Sequence, residues 1–113
     1  MHELSVTQGL LKICLEEGKK HNINRIKELN IKVGELTDLV PNCISYYFNI
    51  VAKDTIAENT KINIERISVE IKCNECSYEG KLGKNNYVCP ICKGNKYEIT
   101  RGREFYLDTM EVE

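Results

Sequence analysis

The sequence predicts an α+β fold in which a three-stranded sheet is interrupted by a cysteine-rich metal module. Three patterns predict it. Apolar residues recur at helical spacing in two segments, apolar and polar residues alternate in others, and four of the six cysteines form two C-x-x-C pairs. A chain of 113 residues has room for one compact domain and a small metal-stapled module.

The first helix is predicted from Ser5 to about Lys20. Ser5 and Gln8 have the spacing of a capping box, in which the serine hydroxyl accepts a hydrogen bond from the Gln8 amide. The apolar positions that follow at helical spacing are Leu10, Leu11, Cys14 and Leu15. A strand is then predicted from Arg25 to Leu36, because apolar and polar residues alternate through it.

Pro41 suits the first turn of a second helix that ends near Lys53. Its inner stripe is predicted to contain Val40, Cys43, Ile44, Tyr47, Phe48 and Val51. A second strand is predicted from Lys61 to Ile71. Its apolar residues change parity, so we expect a bulge or break near Glu65 and Arg66.

The final segment, "REFYLDTMEVE", is too apolar for a solvated tail and is predicted to return as the third strand of the sheet. The cysteine module is then an insertion between two strands. The predicted domains are therefore residues 1–71 plus 98–113, which form an α/β domain, and residues 72–97, which form a zinc ribbon.

The charge balance argues against a nucleic-acid partner or an anionic membrane surface. Sixteen basic and seventeen acidic residues give a net charge of −1, without runs of like charge. No apolar stretch is long enough to span a bilayer, and the first residues lack the pattern of a signal peptide. The cytoplasm is the expected compartment.

The segment "CNECSYEGKLGKNNYVCPIC" has the spacing C-x2-C-x12-C-x2-C, which predicts that Cys73, Cys76, Cys89 and Cys92 hold one metal ion. The intervening residues, with an Asn-Asn turn candidate, suit a hairpin that joins the two pairs. Zinc is the predicted metal and iron the alternative, with thiol–disulfide chemistry as a third interpretation. Four protein ligands leave no open position, so the site is predicted to be structural.

No catalytic site is predicted. Cys14 and Cys43 lie on the apolar stripes of the two helices and are interpreted as small buried hydrophobes. His21 lies in a polar turn and is expected to be solvated. A nucleophilic cysteine needs a base, and no histidine is near either cysteine in the sequence.

The chain begins "MHELS", and its first three residues can chelate a metal. The Met1 amine, the His2 backbone nitrogen and the His2 imidazole close two adjacent rings, and the Glu3 backbone nitrogen could complete a plane. Such coordination suits Ni(II) and Cu(II). The alternative is a frayed terminal histidine without a function.

The ordered combination of "MHELS", "VGEL", "VP", the two cysteine pairs and "GREFYLDTMEVE" resembles the HypA/HybF family of nickel metallochaperones over essentially the whole chain. The resemblance implies two helices on one face of the three-stranded sheet, a nickel site at His2 and Glu3, and zinc at the four cysteines. Some relatives recruit a histidine from the zinc domain for nickel, and this sequence has none there. Glu35 and Asp38 are candidate auxiliary carboxylates.

The resemblance also implies a non-enzymatic function in hydrogenase maturation, as a monomer or homodimer. Its expected partners are a HypB-type GTPase and the [NiFe]-hydrogenase large subunit, and urease maturation is a further expected role. The alternative function is a zinc-ribbon module that binds nucleic acid or a protein partner. The lysines and tyrosines of the ribbon favour that alternative, while its glutamates and the charge of a zinc–thiolate centre oppose it.

Overall fold

The computed structural model describes residues 3–82 and 87–113, and within them it contains two helices and six strands. In chain order these are α1 (Glu3–Lys20), β1 (Ile26–Gly34), α2 (Pro41–Val51), β2 (Lys61–Ile67), β3 (Glu70–Cys73), β4 (Glu79–Lys81), β5 (Tyr97–Arg101) and β6 (Phe105–Val112). The predicted α+β class is confirmed. Neither of the described helices is long and apolar enough to cross a membrane.

The first sheet has the strand order β2-β1-β6, so the final strand returns to pair with β1 as predicted. The Gly34 amide donates to the Glu104 carbonyl near one end of this pair, and the Glu113 amide donates to the Arg25 carbonyl near the other. Because residue numbers increase in opposite directions along the two strands, β6 is antiparallel to β1.

Strand β2 lies on the other side of β1 and runs parallel to it. The Thr60 hydroxyl donates to the Ile26 carbonyl where both strands begin, and the Glu35 amide donates to the Ile67 carbonyl where both end. Helix α2 lies between these strands in the chain and forms the crossover that a parallel pair requires.

One face of β1 is buried and the other is polar. Leu29, Ile31 and Val33 are almost completely buried, together with Leu10 and Cys14 of α1 and Ile44 and Phe48 of α2. This pattern confirms that both helices cover one face of the sheet. Apolar burial on that face supplies the main driving force for the domain.

The opposite face carries polar pairs between neighbouring strands. Asn30 of β1 accepts a hydrogen bond from the Asn63 side chain at 3.0 Å and donates one to the Thr109 hydroxyl at 2.9 Å. Lys32 pairs with Glu65 of β2 and lies 4.0 Å from Asp108 of β6. The donors and acceptors of this face therefore largely satisfy one another across the three strands.

The second sheet has the strand order β4-β3-β5, with both neighbours antiparallel to β3. Its core consists of Val69, Ile71, Cys73, Leu82 and Cys89. Strands β3 and β4 form a hairpin around the first cysteine pair. The predicted Asn-Asn turn, at Asn85 and Asn86, lies outside the described residues.

The predicted second strand, 61–71, is wrong as a single element. It is two strands, β2 and β3, which belong to different sheets and are separated at Ser68 and Val69. The break predicted near Glu65 and Arg66 lies instead at Ser68 and Val69, because β2 continues through Ile67. The buried residues that follow, Val69 and Ile71, belong to the second unit.

Two details at the helix starts are also corrected. Helix α1 begins at Glu3, so Ser5 lies inside the first turn with an exposed side chain and is not the cap. Val40 precedes α2 with an extended backbone, and its side chain is 46% exposed, so it is not part of the inner stripe. Pro41 occupies the first turn as predicted.

The chain forms two compact units. The first contains residues 1–32, 38–65 and 106–113, and the second contains residues 33–37 and 66–105. These units describe which residues pack together. The assignment of nickel to residues 1–71 plus 98–113 and of zinc to residues 72–97 concerns metal binding and stays a prediction.

Three chain segments meet inside the second unit at a contact between two glycines. The Leu36 amide donates to the Gly102 carbonyl, and the Gly34 α-carbon lies so close that a β-carbon added there would be 2.1 Å from the same oxygen. Gly102 has a positive φ of 119° and lies against Val69. Both positions therefore require glycine, one for space and one for conformation.

Candidate metal centres

The four cysteines of the second unit come together at one point. Cys73 ends β3 and Cys76 lies in the turn before β4, while Cys89 and Cys92 lie in the loop before β5. Their sulfur atoms all lie within 4.8 Å of one another. The Sγ–Sγ distance is 3.6 Å for Cys73 and Cys92 and 3.5 Å for Cys76 and Cys89.

These distances fit a single tetrahedral metal ion. Four sulfurs about 2.3 Å from a central zinc are about 3.8 Å apart, close to the separations in the cluster. Cys73 and Cys89 are buried whereas Cys92 is exposed. The cluster is thus complete in protein ligands, with one edge open to solvent.

Backbone amides surround the cluster in a repeated pattern. The sulfur of each cysteine accepts a hydrogen bond from the amide two residues later in the chain, and the donors are Glu75, Tyr78, Ile91 and Gly94. Such bonds favour the thiolate form. The two C-x-x-C turns therefore have the same geometry and are preorganised for negative sulfur.

Protons are distributed unevenly over the cluster. Burial opposes the ionisation of Cys89, but the backbone amides of Cys92 and Ile91 outweigh it and lower the pKa of Cys89 to about 7. The Gly94 amide lowers the pKa of Cys92, yet burial and hydrogen bonds with the other three cysteines together raise it to about 12. Cys89 is therefore the first of these two thiols to become the thiolate that binds metals.

Cys14 and Cys43 are not part of the four-cysteine cluster. Cys14 is fully buried in α1, and burial raises the pKa of its thiol to about 11 despite an opposing backbone hydrogen bond. Cys43 is half-buried in α2. His21 is exposed, and its Nε2 lies 3.1 Å from a carboxylate oxygen of Glu17. A buried neutral thiol is unreactive, which agrees with a packing role for Cys14.

Of the predicted nickel ligands, the structure describes only Glu3. Met1 and His2 lie outside the described residues. Glu3 is the first residue of α1 and is only 1% exposed. Its Oε2 accepts a hydrogen bond from the Val40 amide at 3.2 Å. No described residue donates to its Oε1, which is buried. A buried carboxylate oxygen without a donor is costly, and a ligand would relieve that cost.

The auxiliary carboxylates lie in different places. Asp38 is exposed and precedes Val40 by two residues, so its α-carbon is at most about 7 Å from that of Val40. Glu35 is half-buried and belongs to the second unit. Asp38 thus adjoins, along the chain, the amide that holds Glu3.

The role of Val40 was missed at the sequence level. The residue before a helix usually has a side chain that accepts a first-turn amide, and valine has none. The first-turn amides of Cys43 and Ile44 donate instead to the Val40 carbonyl. Glu3, which is distant in sequence, accepts the amide of Val40 itself, and no local pattern signals that contact.

Comparison with known proteins gives one consistent result. The sequence model of the family described as "Hydrogenase/urease nickel incorporation, metallochaperone, hypA" matches residues 1–112. The hydrogenase maturation factor HypA of Caldanaerobacter subterraneus is 34% identical, and the match covers both chains completely. HypA of Methanocaldococcus jannaschii is 36% identical over all of this chain and 98% of its own.

Solved structures agree. The solution structure of the nickel metallochaperone HypA from Helicobacter pylori has a TM-score of 0.70 and 27% identity, covering 99% of this chain and 97% of its own. A second HypA solution structure has a TM-score of 0.74 and 26% identity, covering 99% and 96%. The fold, the cysteine cluster and the sequence relationship thus agree with one and the same family of proteins.

Proposed function

This chain belongs to the HypA family of hydrogenase and urease nickel-incorporation metallochaperones, and from that membership we propose that it binds Ni(II) at its amino terminus and delivers it to the immature [NiFe]-hydrogenase large subunit. The proposed nickel ligands are the Met1 amine, the backbone nitrogen and imidazole of His2, and Glu3. We propose the same delivery role toward urease where that enzyme is present.

The observation that carries this proposal is the state of Glu3. Its buried Oε1 has no donor among the described residues and lies one residue from His2. A metal ion bound at the terminus would supply the missing partner. The Glu3 carboxylate is therefore proposed as a ligand in addition to the Glu3 backbone nitrogen.

The start of α1 suits a metal-binding backbone. The first amides of a helix have no intrahelical acceptor, so the Glu3 nitrogen can lose its proton to Ni(II) without breaking a helical hydrogen bond. The N-termini of α1 and α2 both carry partial positive charge, which opposes a bound cation. The carboxylate of Glu3 offsets this opposition, and the balance suits an ion that must later be released.

The four cysteines are proposed to hold Zn(II) in a structural role. Zinc bound by four thiolates supplies folding free energy to a segment with a small core and leaves no position for a substrate. We accordingly propose that the protein is not an enzyme. We propose that it accepts Ni(II) in contact with a HypB-type GTPase, and that one metal is retained while the other is transferred.

The test is a nickel titration that compares the native chain with a version extended before Met1, with zinc retained in both. The native chain should bind about one Ni(II) per chain in nitrogen- and oxygen-rich geometry. The extension converts the terminal amine into an amide, and His2→Ala removes the imidazole, so both should greatly weaken binding. Equal binding by native and extended chains would locate the site elsewhere.

Glu3→Gln separates the two roles of Glu3. Glutamine retains an oxygen for the Val40 amide but lacks a negative charge, so the fold should persist while nickel affinity falls. Glu3→Ala should lose both the helix contact and the affinity. Nickel affinity should also fall below about pH 6.5, where imidazole becomes protonated. If Glu3→Gln binds nickel like the native chain, the carboxylate is not a ligand.

A further inference from the structure

Helix α2 lacks charge in a chain that is rich in it. None of its 11 residues, PNCISYYFNIV, is charged, although 29% of the chain is. Its exposed positions are Asn42, Tyr46, Asn49 and Ile50. The exposed side of α1 also has two apolar residues, Leu4 and Ile13, but it carries four charged ones as well: Lys12, Glu16, Lys19 and Lys20. Solvated helix faces usually resemble α1, so the exposed face of α2 is unusual.

The exposed apolar residues of α2 form one continuous stripe. Tyr46 and Ile50 are 64% and 55% exposed, and half-buried Cys43 lies one helical turn before Tyr46. Val40, which is 46% exposed, directly precedes the helix with an extended backbone. We call these four residues the outer α2 stripe. On the opposite side of the same helix, Ile44 and Phe48 are buried in the core, so they pack on the rest of the domain and are not available to a partner.

The outer α2 stripe begins at the residue that is bonded to Glu3, since the Val40 amide donates to the Glu3 carboxylate. Exposed tyrosine with few charges is typical of protein–protein interface centres. Given the proposed function, we infer that the outer α2 stripe docks the protein that takes nickel from the terminus. That partner presents an uncharged apolar surface and a nickel ligand of its own within reach of Glu3.

The size of the stripe favours a transient partner over a second copy of this chain. A helix of 11 residues is about 16 Å long and, taken at about 10 Å wide, offers about 160 Å². A stable interface buries about 800 Å² on each partner, so the stripe alone could not hold a permanent dimer. A partner that must leave after ligand exchange needs no more than a small anchor.

The experiment measures binding of the nickel-free hydrogenase large subunit to immobilised, nickel-loaded protein with its native terminus. Tyr46→Lys and Ile50→Lys place a charge in the stripe and should each weaken binding about tenfold or more. Tyr106→Lys and Val112→Lys are matched controls in β6, at 44% and 43% exposure, and should change it by less than about twofold.

Nickel titration of the same variants separates this inference from the proposed function, because the stripe variants should bind nickel like the native chain. Unchanged binding of the large subunit to Tyr46→Lys and Ile50→Lys would overturn the docking surface, while normal nickel titrations would leave the proposed function standing. A concentration-dependent dimer abolished by Tyr46→Lys, with large-subunit binding unaffected, would also overturn it by assigning the stripe to a second copy. Failure of the native chain to bind nickel would instead refute the proposed function.

Discussion

Ser77 and Lys93 occupy equivalent positions in the two cysteine turns. Each directly follows the second cysteine of its pair, and each has a positive φ, of 63° and 62°. Left-handed backbone costs a side-chain-bearing residue about 1–2 kcal/mol, and glycine avoids that cost. The equivalence shows that both turns reverse the chain in the same way after their cysteine pairs.

Ser77→Gly should therefore raise the free energy of unfolding of the metal-loaded protein by about 0.5–1 kcal/mol, because relief of the backbone exceeds the added entropy of the unfolded chain. Ser5→Gly is the matched control. Ser5 is helical and exposed, so the same substitution should cost about 0.5 kcal/mol. Denaturant unfolding with excess zinc measures both, and a loss at both positions would contradict the argument.

Purified protein should contain about one zinc per chain with sulfur-only coordination. Cys73→Ala or Cys89→Ala removes a buried ligand and should release the metal and unfold the second sheet. Cys43→Ala should leave the zinc content unchanged and cost on the order of 1 kcal/mol through packing. Metal analysis and X-ray absorption give the readout. Full zinc retention by Cys73→Ala would refute the ligand set.

Gly34→Ala should destabilise the protein by about 1–3 kcal/mol or more, because its β-carbon would lie 2.1 Å from a backbone oxygen of Gly102 that cannot move aside cheaply. Gly9→Ala provides the contrast. Gly9 is exposed in α1 and a β-carbon there meets nothing within 4 Å, so alanine should stabilise by about 0.5–1 kcal/mol. Urea unfolding of the two variants should shift in opposite directions.

Cys14 should weaken the fold at alkaline pH. Burial raises the pKa of its thiol from 9.0 to about 11, so the folded protein holds a proton that the unfolded chain loses. Its stabilising contribution is complete below about pH 9 and is lost as pH rises through about 11. The free energy of unfolding of wild type minus that of Cys14→Ala should therefore shrink over this range. A pH-independent difference would contradict it.

The features that the sequence predicts correctly are those that depend on residue spacing or on the composition of a single segment. The short C-x-x-C spacing predicts that four thiols come together, and the structure gathers Cys73, Cys76, Cys89 and Cys92 at one point. The return of β6 follows from apolar residues that need a surface to pack on. These inferences depend on composition and spacing, which a sequence displays directly.

The errors came from tertiary contacts. The parity change between Ile64 and Ile67 predicts a break near Glu65 and Arg66, but both isoleucines lie in β2, and the chain passes to the second sheet only after Ser68 and Val69. The capping box at Ser5 had correct spacing, yet the helix begins at Glu3, whose side chain is held by the Val40 amide from a distant segment. No local pattern encodes that contact.

The position of β6 in the chain has a consequence during translation. Helices α1 and α2 and strands β1 and β2 leave the ribosome first, while the third strand follows only after the whole cysteine segment has been made. Until then one edge of β1 is uncovered, and an uncovered edge can pair with another nascent chain. If the inserted segment folds when it binds zinc, as proposed, its folding shortens the loop that must close before β6 can pair with β1. Zinc starvation should therefore appear first as aggregation of newly made protein.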